Sequence, residues 1–146
     1  MNRRYLAFAA IAAAALLLAA CSGGAGTGNT GEVRTVAVRM TDEMRYVPAE
    51  FDFFASDAVR FEVTNDGSVR HEFFVGDVAA QEQHAAEMRE TNGLSMAHDD
   101  PNGMTVEPDQ TETLEITSDE VGELQVGCHE PGHFQAGMAA PITVHP

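Results

Sequence analysis

The chain has 146 residues, of which 44% are hydrophobic and 21% charged, and this length suits one ordinary domain with a single core. The composition argues against wholesale disorder and against a protein with several membrane spans. Eight arginines oppose 23 acidic residues, the formal net charge is −15, and the sequence has no lysine. Because binding to phosphates needs a basic face, no nucleic-acid partner is expected. The partner should be cationic or uncharged.

The N-terminal residues have a different character from the rest. Arg3 and Arg4 give a positive start, residues 6–20 are apolar, and small residues lead directly to Cys21. This pattern predicts a signal peptide over residues 1–20, and the alternative of a membrane span is disfavoured because the apolar stretch is short. The small residues that lead to Cys21 resemble the lipobox of bacterial lipoproteins. That resemblance implies cleavage before Cys21, acylation of its thiol and amine, and a lipid-anchored protein facing the periplasm or the cell exterior; a plain signal peptide is the alternative.

Cysteine usage raises a question about the exported domain. With Cys21 carrying lipid, Cys128 is the one remaining cysteine of the two in the sequence, so it would lack a disulfide partner in an oxidising compartment. Three explanations are open: a small buried apolar side chain, a metal-bound thiolate, or a nucleophile.

Residues 21–32 are rich in glycine and predict a flexible tether, so the domain should cover residues 33–146. Within it, apolar residues alternate with polar ones, a pattern typical of half-buried strands. Asn65-Asp66-Gly67 provides turn residues that tolerate positive φ. The predicted strands lie around Val36–Val38, Val59–Val63, His71–Val75, Thr111–Thr117, Leu124–Cys128 and Ile142–Val144. Short strands with turn signals predict an all-β sandwich.

One segment breaks the β pattern. Residues 78–90 contain many helix formers and no glycine or proline, which predicts a helix of about three turns. Residues 91–106 carry Asn-Gly and Asp-Pro-Asn-Gly signals and are predicted to form a loop. Together these residues form a helix-containing insert over about 78–106.

Soft and borderline metal ligands cluster near the C-terminus. Cys128, His133 and Met138 are spaced Cys-x4-His-x4-Met on a segment leaving one predicted strand and entering another. His129 directly follows Cys128, so it should project to the opposite face if the strand persists, which favours His133 as the ligand. His71 shares its strand face with Phe73 and Val75, so its side chain should point into the sandwich. A set of two imidazoles, a thiolate and an axial thioether is typical of a mononuclear blue-copper centre.

These residues resemble the cupredoxin family, in particular plastocyanin- and azurin-like domains, over about residues 33–146. The resemblance implies a Greek-key β-sandwich holding one type 1 copper, with His71, Cys128 and His133 as equatorial ligands and Met138 as the weak axial ligand. The gap before His133 matches the longer-loop members of the family better than plastocyanin itself.

Other chemistries fit less well. Structural zinc sites rarely use a thioether, and no protease signature accompanies Cys128. The second loop cysteine of a dinuclear copper site is absent, and Gly127 stands where multicopper oxidases have a histidine. An electron carrier or copper-binding protein is therefore expected rather than an enzyme.

Two functions remain open for such a centre. The first is one-electron transfer with a basic or neutral redox partner, such as a c-type cytochrome or an oxidase domain, which the acidic charge would attract. The second is copper tolerance by binding or oxidising excess copper, because the insert, together with His71-Glu72-Phe73 and the Cys-His-Glu-Pro-Gly-His loop, resembles exported cupredoxins linked with copper resistance. An auxiliary Cu(I) site would use soft ligands of the insert, with helix packing and a lid as the alternative explanation. Its candidate residues are His84, Met88, Met96, His98 and Met104.

Overall fold

A computed structural model describes residues 33–91 and 100–146. The predicted signal peptide, Cys21, the tether, Met96 and His98 lie outside the described residues. The described chain forms nine strands and one helix. In chain order they are β1 (Arg34–Thr41), β2 (Arg45–Val47), β3 (Phe51–Phe54), β4 (Ala58–Asn65), β5 (His71–Gly76), α1 (Val78–Glu90), β6 (Gly103–Val106), β7 (Thr111–Thr117), β8 (Gly122–Gly127) and β9 (Ala139–His145).

The strands form two sheets packed face to face. One sheet has the order β2-β1-β4-β7 and the other the order β3-β9-β8-β5-β6. The β1/β4 and β3/β9 pairs are parallel, and the remaining pairs are antiparallel. The predicted all-β sandwich with one helix is confirmed.

The core lies between the sheets because alternate residues of each strand point inward. In β4, Val59, Phe61 and Val63 are buried, while the residues between them are exposed. The ring of Phe61 meets that of Phe73 from the other sheet, with centroids 5.1 Å apart. Each such buried side chain contributes about 1.5–3 kcal/mol through removal of apolar surface from water.

Strand β5 departs from this alternation because both of its faces are covered. Its inward residues include His71 and Phe73, as predicted, but Glu72 and Phe74 on the outer face are buried as well. Helix α1 covers that outer face, and the His84 ring stacks on the Phe74 ring at 4.1 Å. The helix therefore creates a second, smaller interior behind the sheet.

Helix α1 spans the residues predicted for it. Its N-cap is Asp77, whose carboxylate accepts a hydrogen bond from the Ala80 N–H at 2.8 Å. The buried side chains of the helix are Gln81, His84 and Met88, which all face the sheet. Among residues 33–91 and 100–146, no helix has the length and apolar character needed to cross a bilayer.

The sequence prediction was wrong for the end of the insert. Residues 103–106 form strand β6 rather than loop, and Met104 pairs with Phe73 of β5. The Asp-Pro-Asn-Gly signal marks the turn that begins this strand. Strands β2 and β3 were not predicted, because β2 has three residues and the four residues of β3 give a short pattern.

The Asn65-Asp66-Gly67 segment connects the two sheets rather than forming a hairpin, because β4 and β5 belong to different sheets. None of the three residues has positive φ. Space favours glycine at position 67, since a Cβ there would lie 2.6 Å from Oδ1 of Asp42 and would force that side chain to move.

Candidate metal centre

Three adjacent strands bring the predicted ligands to one end of the sandwich. His71 is the first residue of β5, Cys128 follows the last residue of β8, and Met138 precedes the first residue of β9. Because β8 is antiparallel to both β5 and β9, these positions meet at the same edge. His133 lies in the turn between β8 and β9.

Two imidazole nitrogens and one thiol sulfur lie close together in this region. The Nδ1 atoms of His71 and His133 are 3.2 Å apart, and the Cys128 Sγ lies 3.3 Å from the His133 Nδ1. All three donor atoms lie within 4.8 Å of one another. Metal–nitrogen and metal–sulfur bonds are about 2.0–2.3 Å long, so these separations fit three ligands of one ion.

Burial and backbone donors shape the chemistry of the sulfur. Burial raises the pKa of the Cys128 thiol to about 12, while backbone N–H groups of Glu72 and Glu130 oppose the shift. The Glu72 N–H donates to Sγ at 3.3 Å. A bound cation reverses the effect of burial, because it stabilises the thiolate directly.

The imidazole of His71 is suited to binding a cation. Burial lowers its pKa, and the nearby His133 lowers that pKa further. The neutral ring, which a metal ligand must be, is therefore favoured. His71 is fully buried, whereas His133 is only partly buried and is the most exposed of the three side chains.

Backbone hydrogen bonds hold the ligand segment in place. The Cys128 N–H donates to the Met138 carbonyl at 3.1 Å, and the Met138 N–H donates to the His133 carbonyl at 3.1 Å. Gly132 and Gly137 have φ values of +87° and +97°, which favour glycine. These backbone bonds and turns therefore link the positions of Cys128, His133 and Met138.

An ion pair links the two ligand-bearing segments. The Nε of Arg70, adjacent to His71, donates to Oε1 of Glu130 at 2.6 Å. Glu130 lies between Cys128 and His133, and its side chain is 10% exposed. This bond raises the pKa of Arg70. The pair therefore constrains the distance between β5 and the loop after β8.

Met138 is fully buried and directly precedes strand β9. Its two backbone hydrogen bonds, to Cys128 and His133, place it next to both.

The ring of His129 belongs to a different environment. Its Nε2 lies 2.7 Å from Oε1 of Gln81 on α1, and it stacks on Phe134 with centroids 4.6 Å apart. Burial, followed by the nearby His84, lowers the pKa of His129 to about 4. His129 is not part of the cluster of three donors.

The residues considered for an auxiliary Cu(I) site do not all come together. His84 and Met88 are buried beneath α1, on the outer face of the five-stranded sheet. Met104 pairs with Phe73 and packs against the core on the opposite face. The sheet therefore separates Met104 from the other two.

Sequence reasoning missed Glu72, Gln81 and Glu130. Alternation places Glu72 on the outer face of β5, which normally means exposure to solvent, and no local signal indicates that α1 covers that face. Gln81 and Glu130 are polar residues in segments where exposure is the ordinary expectation.

Known proteins resemble this chain in sequence and in structure. No family model matches the sequence. The copper-resistant cuproprotein CopI of Rubrivivax gelatinosus is 43% identical over 68 residues, which are 47% of this chain. The match spans 40% of the length of that relative.

Three solved structures share the architecture. Dithionite-reduced auracyanin of Roseiflexus castenholzii has a TM-score of 0.67 and 17% identity. The match covers 77% of this chain and 97% of the auracyanin chain. Auracyanin B has a TM-score of 0.64 and 22% identity, with coverages of 85% and 97%. Auracyanin A of Chloroflexus aurantiacus, described as a "blue" copper protein, has a TM-score of 0.64 and 17% identity, with coverages of 78% and 100%. The fold of this chain is therefore the cupredoxin β-sandwich, as predicted.

Proposed function

We propose that this chain binds one copper ion through His71, Cys128, His133 and Met138 and serves as a one-electron carrier of the cell envelope. The observation that carries the proposal is the convergence of two imidazole nitrogens and one thiol sulfur within 4.8 Å at the end of a cupredoxin sandwich. Bound copper would supply the Cu(I)/Cu(II) couple.

The donor set favours copper over other ions. A thiolate and two imidazoles suit both zinc and copper, but a buried thioether beside them suits copper better. Oxygen-preferring ions such as magnesium and calcium are disfavoured, because the cluster contains no carboxylate.

The surrounding residues are arranged to keep the ligands still while the charge of the centre changes. Two N–H groups point at the Cys128 sulfur and stabilise negative charge there. The backbone bonds around Met138 and the Arg70–Glu130 pair restrain the loop. A restrained site needs little rearrangement when an electron arrives or leaves, which favours fast transfer. His133 is the most exposed ligand and provides the shortest path to the surface.

The acidic surface and the N-terminal sequence suggest the setting. A formal net charge of −15 would steer a basic or neutral redox protein, such as a c-type cytochrome or an oxidase domain, towards the chain. Export by the signal peptide and anchoring through Cys21 would place the domain at a membrane surface, within reach of such a partner. The carrier role requires no catalytic step by the chain itself.

Copper titration of the purified protein tests the site. One equivalent of Cu(II) bound at this site should give an intense sulfur-to-copper charge-transfer band, and Cys128→Ser should abolish it because an alcohol is not a thiolate donor. His145→Ala is the matched control, since the His145 ring contacts the Phe54 ring at the end of β9, and the change should not affect the band. A band that persists in Cys128→Ser would refute the proposed ligand set.

Copper tolerance is a second candidate function, favoured by the relative named as a copper-resistant cuproprotein. In this case the same centre would bind or oxidise excess copper in the envelope. A strain lacking the protein discriminates between the two functions. Copper sensitivity with normal respiration would support tolerance, and impaired respiration at ordinary copper levels would support the carrier. Complementation with the wild-type chain and with Cys128→Ser would link either defect to the metal site.

A further inference from the structure

A buried polar cluster lies behind the candidate copper centre, between β5 and α1. It contains Glu72, Gln81, His84 and His129, and the proposed function uses none of their side chains. Glu72 is fully buried, and Gln81 and His84 are 4% and 3% exposed. Burial of a carboxylate and imidazoles is costly unless their polar atoms are paired.

The side-chain amide of Gln81 is fully paired. The Gln81 amide donates to the backbone carbonyls of Phe74 at 3.1 Å and of Gln125 at 2.8 Å, and its Oε1 faces the His129 Nε2 at 2.7 Å. Because the amide nitrogen is engaged by two carbonyls, the oxygen must accept from His129. The Nε2 of that ring therefore carries the proton.

The Glu72–His84 half of the cluster is incompletely paired. Oε2 of Glu72 accepts the His129 backbone N–H at 2.8 Å, but Oε1 has no hydrogen-bond partner. The His84 Nε2 also has no hydrogen-bond partner, and it lies 3.5 Å from the Glu72 Oε2. The Glu72 and His84 side chains thus lie within ion-pair distance of each other, and yet Oε1 of Glu72 and Nε2 of His84 have no hydrogen bond.

We propose that Glu72 and His84 are ligands of a second metal site, which takes a divalent first-row transition ion. Metal–oxygen and metal–nitrogen bonds of about 2.0–2.2 Å bring two ligand atoms of one ion to about 3.5 Å from each other at near-tetrahedral angles. The observed 3.5 Å matches this separation. An ion at this position satisfies the unpaired nitrogen and neutralises the buried carboxylate.

The donor types select the ion. A carboxylate oxygen and an imidazole nitrogen suit Zn²⁺ and Cu²⁺, and Cu²⁺ binds such sites most tightly among the first-row divalent ions. Met88 lies four residues after His84 on the same buried face of α1 and adds a thioether to this region.

The second site adjoins the first without sharing a metal-binding side chain. The backbone N–H of Glu72 donates to the Cys128 sulfur at 3.3 Å. The Glu72 carboxylate accepts from the backbone N–H of His129, the residue that follows Cys128. An ion held by Glu72 therefore lies directly behind the thiolate segment. Binding at the second site does not require copper at the first, so the two proposals stand separately.

Copper stoichiometry with two spectroscopic readouts tests the proposal. Wild-type protein is titrated with Cu²⁺, the charge-transfer band reports the thiolate site, and electron paramagnetic resonance reports a second ion that lacks a thiolate ligand. We expect two Cu²⁺ per chain in the wild type. Glu72→Gln and His84→Gln should each lose the second resonance signal and keep the band, because neither change removes a donor of the first site.

Glu87→Gln is the matched control for Glu72→Gln, since it makes the same chemical change on the exposed face of α1, the helix that carries His84. The Glu87→Gln protein should keep both ions. If the second copper were bound loosely by acidic surface groups, Glu72→Gln and Glu87→Gln would weaken the second signal equally. A wild type that binds one Cu²⁺, or a His84→Gln protein that keeps the second signal, would overturn the second site. Loss of both signals together in His84→Gln would also overturn it, by showing that the two ions are not held separately. Absence of the charge-transfer band with retention of the second signal would refute the first site alone.

Discussion

Asn65 offers a quantitative test of how the ligand end of the sandwich is held together. This side chain is fully buried at the end of β4 and joins three segments. Its amide nitrogen donates to the carbonyls of Val69 at 2.8 Å and Val106 at 2.9 Å, and its oxygen accepts from the Gly67 N–H at 2.9 Å. Val106 in turn pairs with His71, so Asn65 supports the strand edge that carries a candidate ligand.

Replacing Asn65 by Ala removes all three hydrogen bonds and leaves buried backbone groups unpaired. Each bond contributes about 1 kcal/mol net, and each unpaired buried group costs about 1–3 kcal/mol, so we expect the free energy of unfolding to fall by about 3 kcal/mol. At about 4 °C per kcal/mol for a domain of this size, the melting temperature should fall by about 12 °C. Thermal unfolding of metal-free protein, followed by circular dichroism, measures the loss without a contribution from ligand binding.

Asn102→Ala is the control for this change. Asn102 is exposed, and its side chain makes no hydrogen bond with the residues the structure describes, so the melting temperature should change little. The copper band of Asn65→Ala should remain at low temperature, because Asn65 supplies no metal ligand. A loss of stability equal to that of Asn102→Ala would refute the role assigned to the buried amide.

Three further predictions concern the copper centre. Met138→Leu should retain copper and raise the reduction potential measured by voltammetry, because loss of a sulfur donor destabilises Cu(II) more than Cu(I); an unchanged potential would exclude Met138 as a ligand. His129→Ala should retain the charge-transfer band, since its ring faces Gln81, and loss of the band would identify it as the loop ligand instead. Glu130→Gln should lower stability by about 1.5 kcal/mol and weaken copper binding in a competition titration, because a neutral amide oxygen accepts from Arg70 more weakly than the carboxylate that restrains the loop. Asp66→Asn is the control for Glu130→Gln. It removes an exposed ion pair with Arg39 at 3.5 Å and should change the free energy of unfolding by less than about 0.5 kcal/mol when both variants are unfolded under the same conditions.

Local sequence patterns were sufficient to predict much of this protein. The helix over residues 78–90 follows from composition and from the absence of glycine and proline, both of which act within a few residues. Alternation placed His71 on the inward face of its strand and separated His129 from Cys128. The spacing around His133 pointed to the residues that the structure brings together. These features depend on backbone geometry over short distances, so the sequence alone contains them.

Tertiary packing decided the rest. Glu72 is outward by alternation, and it is buried only because α1, which follows later in the chain, covers the outer face of β5. Strand β6 exists because residues 103–106 meet the free edge of β5, and its own pattern is too short to indicate a strand. The Arg70–Glu130 pair joins residues 60 positions apart. Burial and partner choice depend on which distant segments share a surface, and local periodicity carries no information about that.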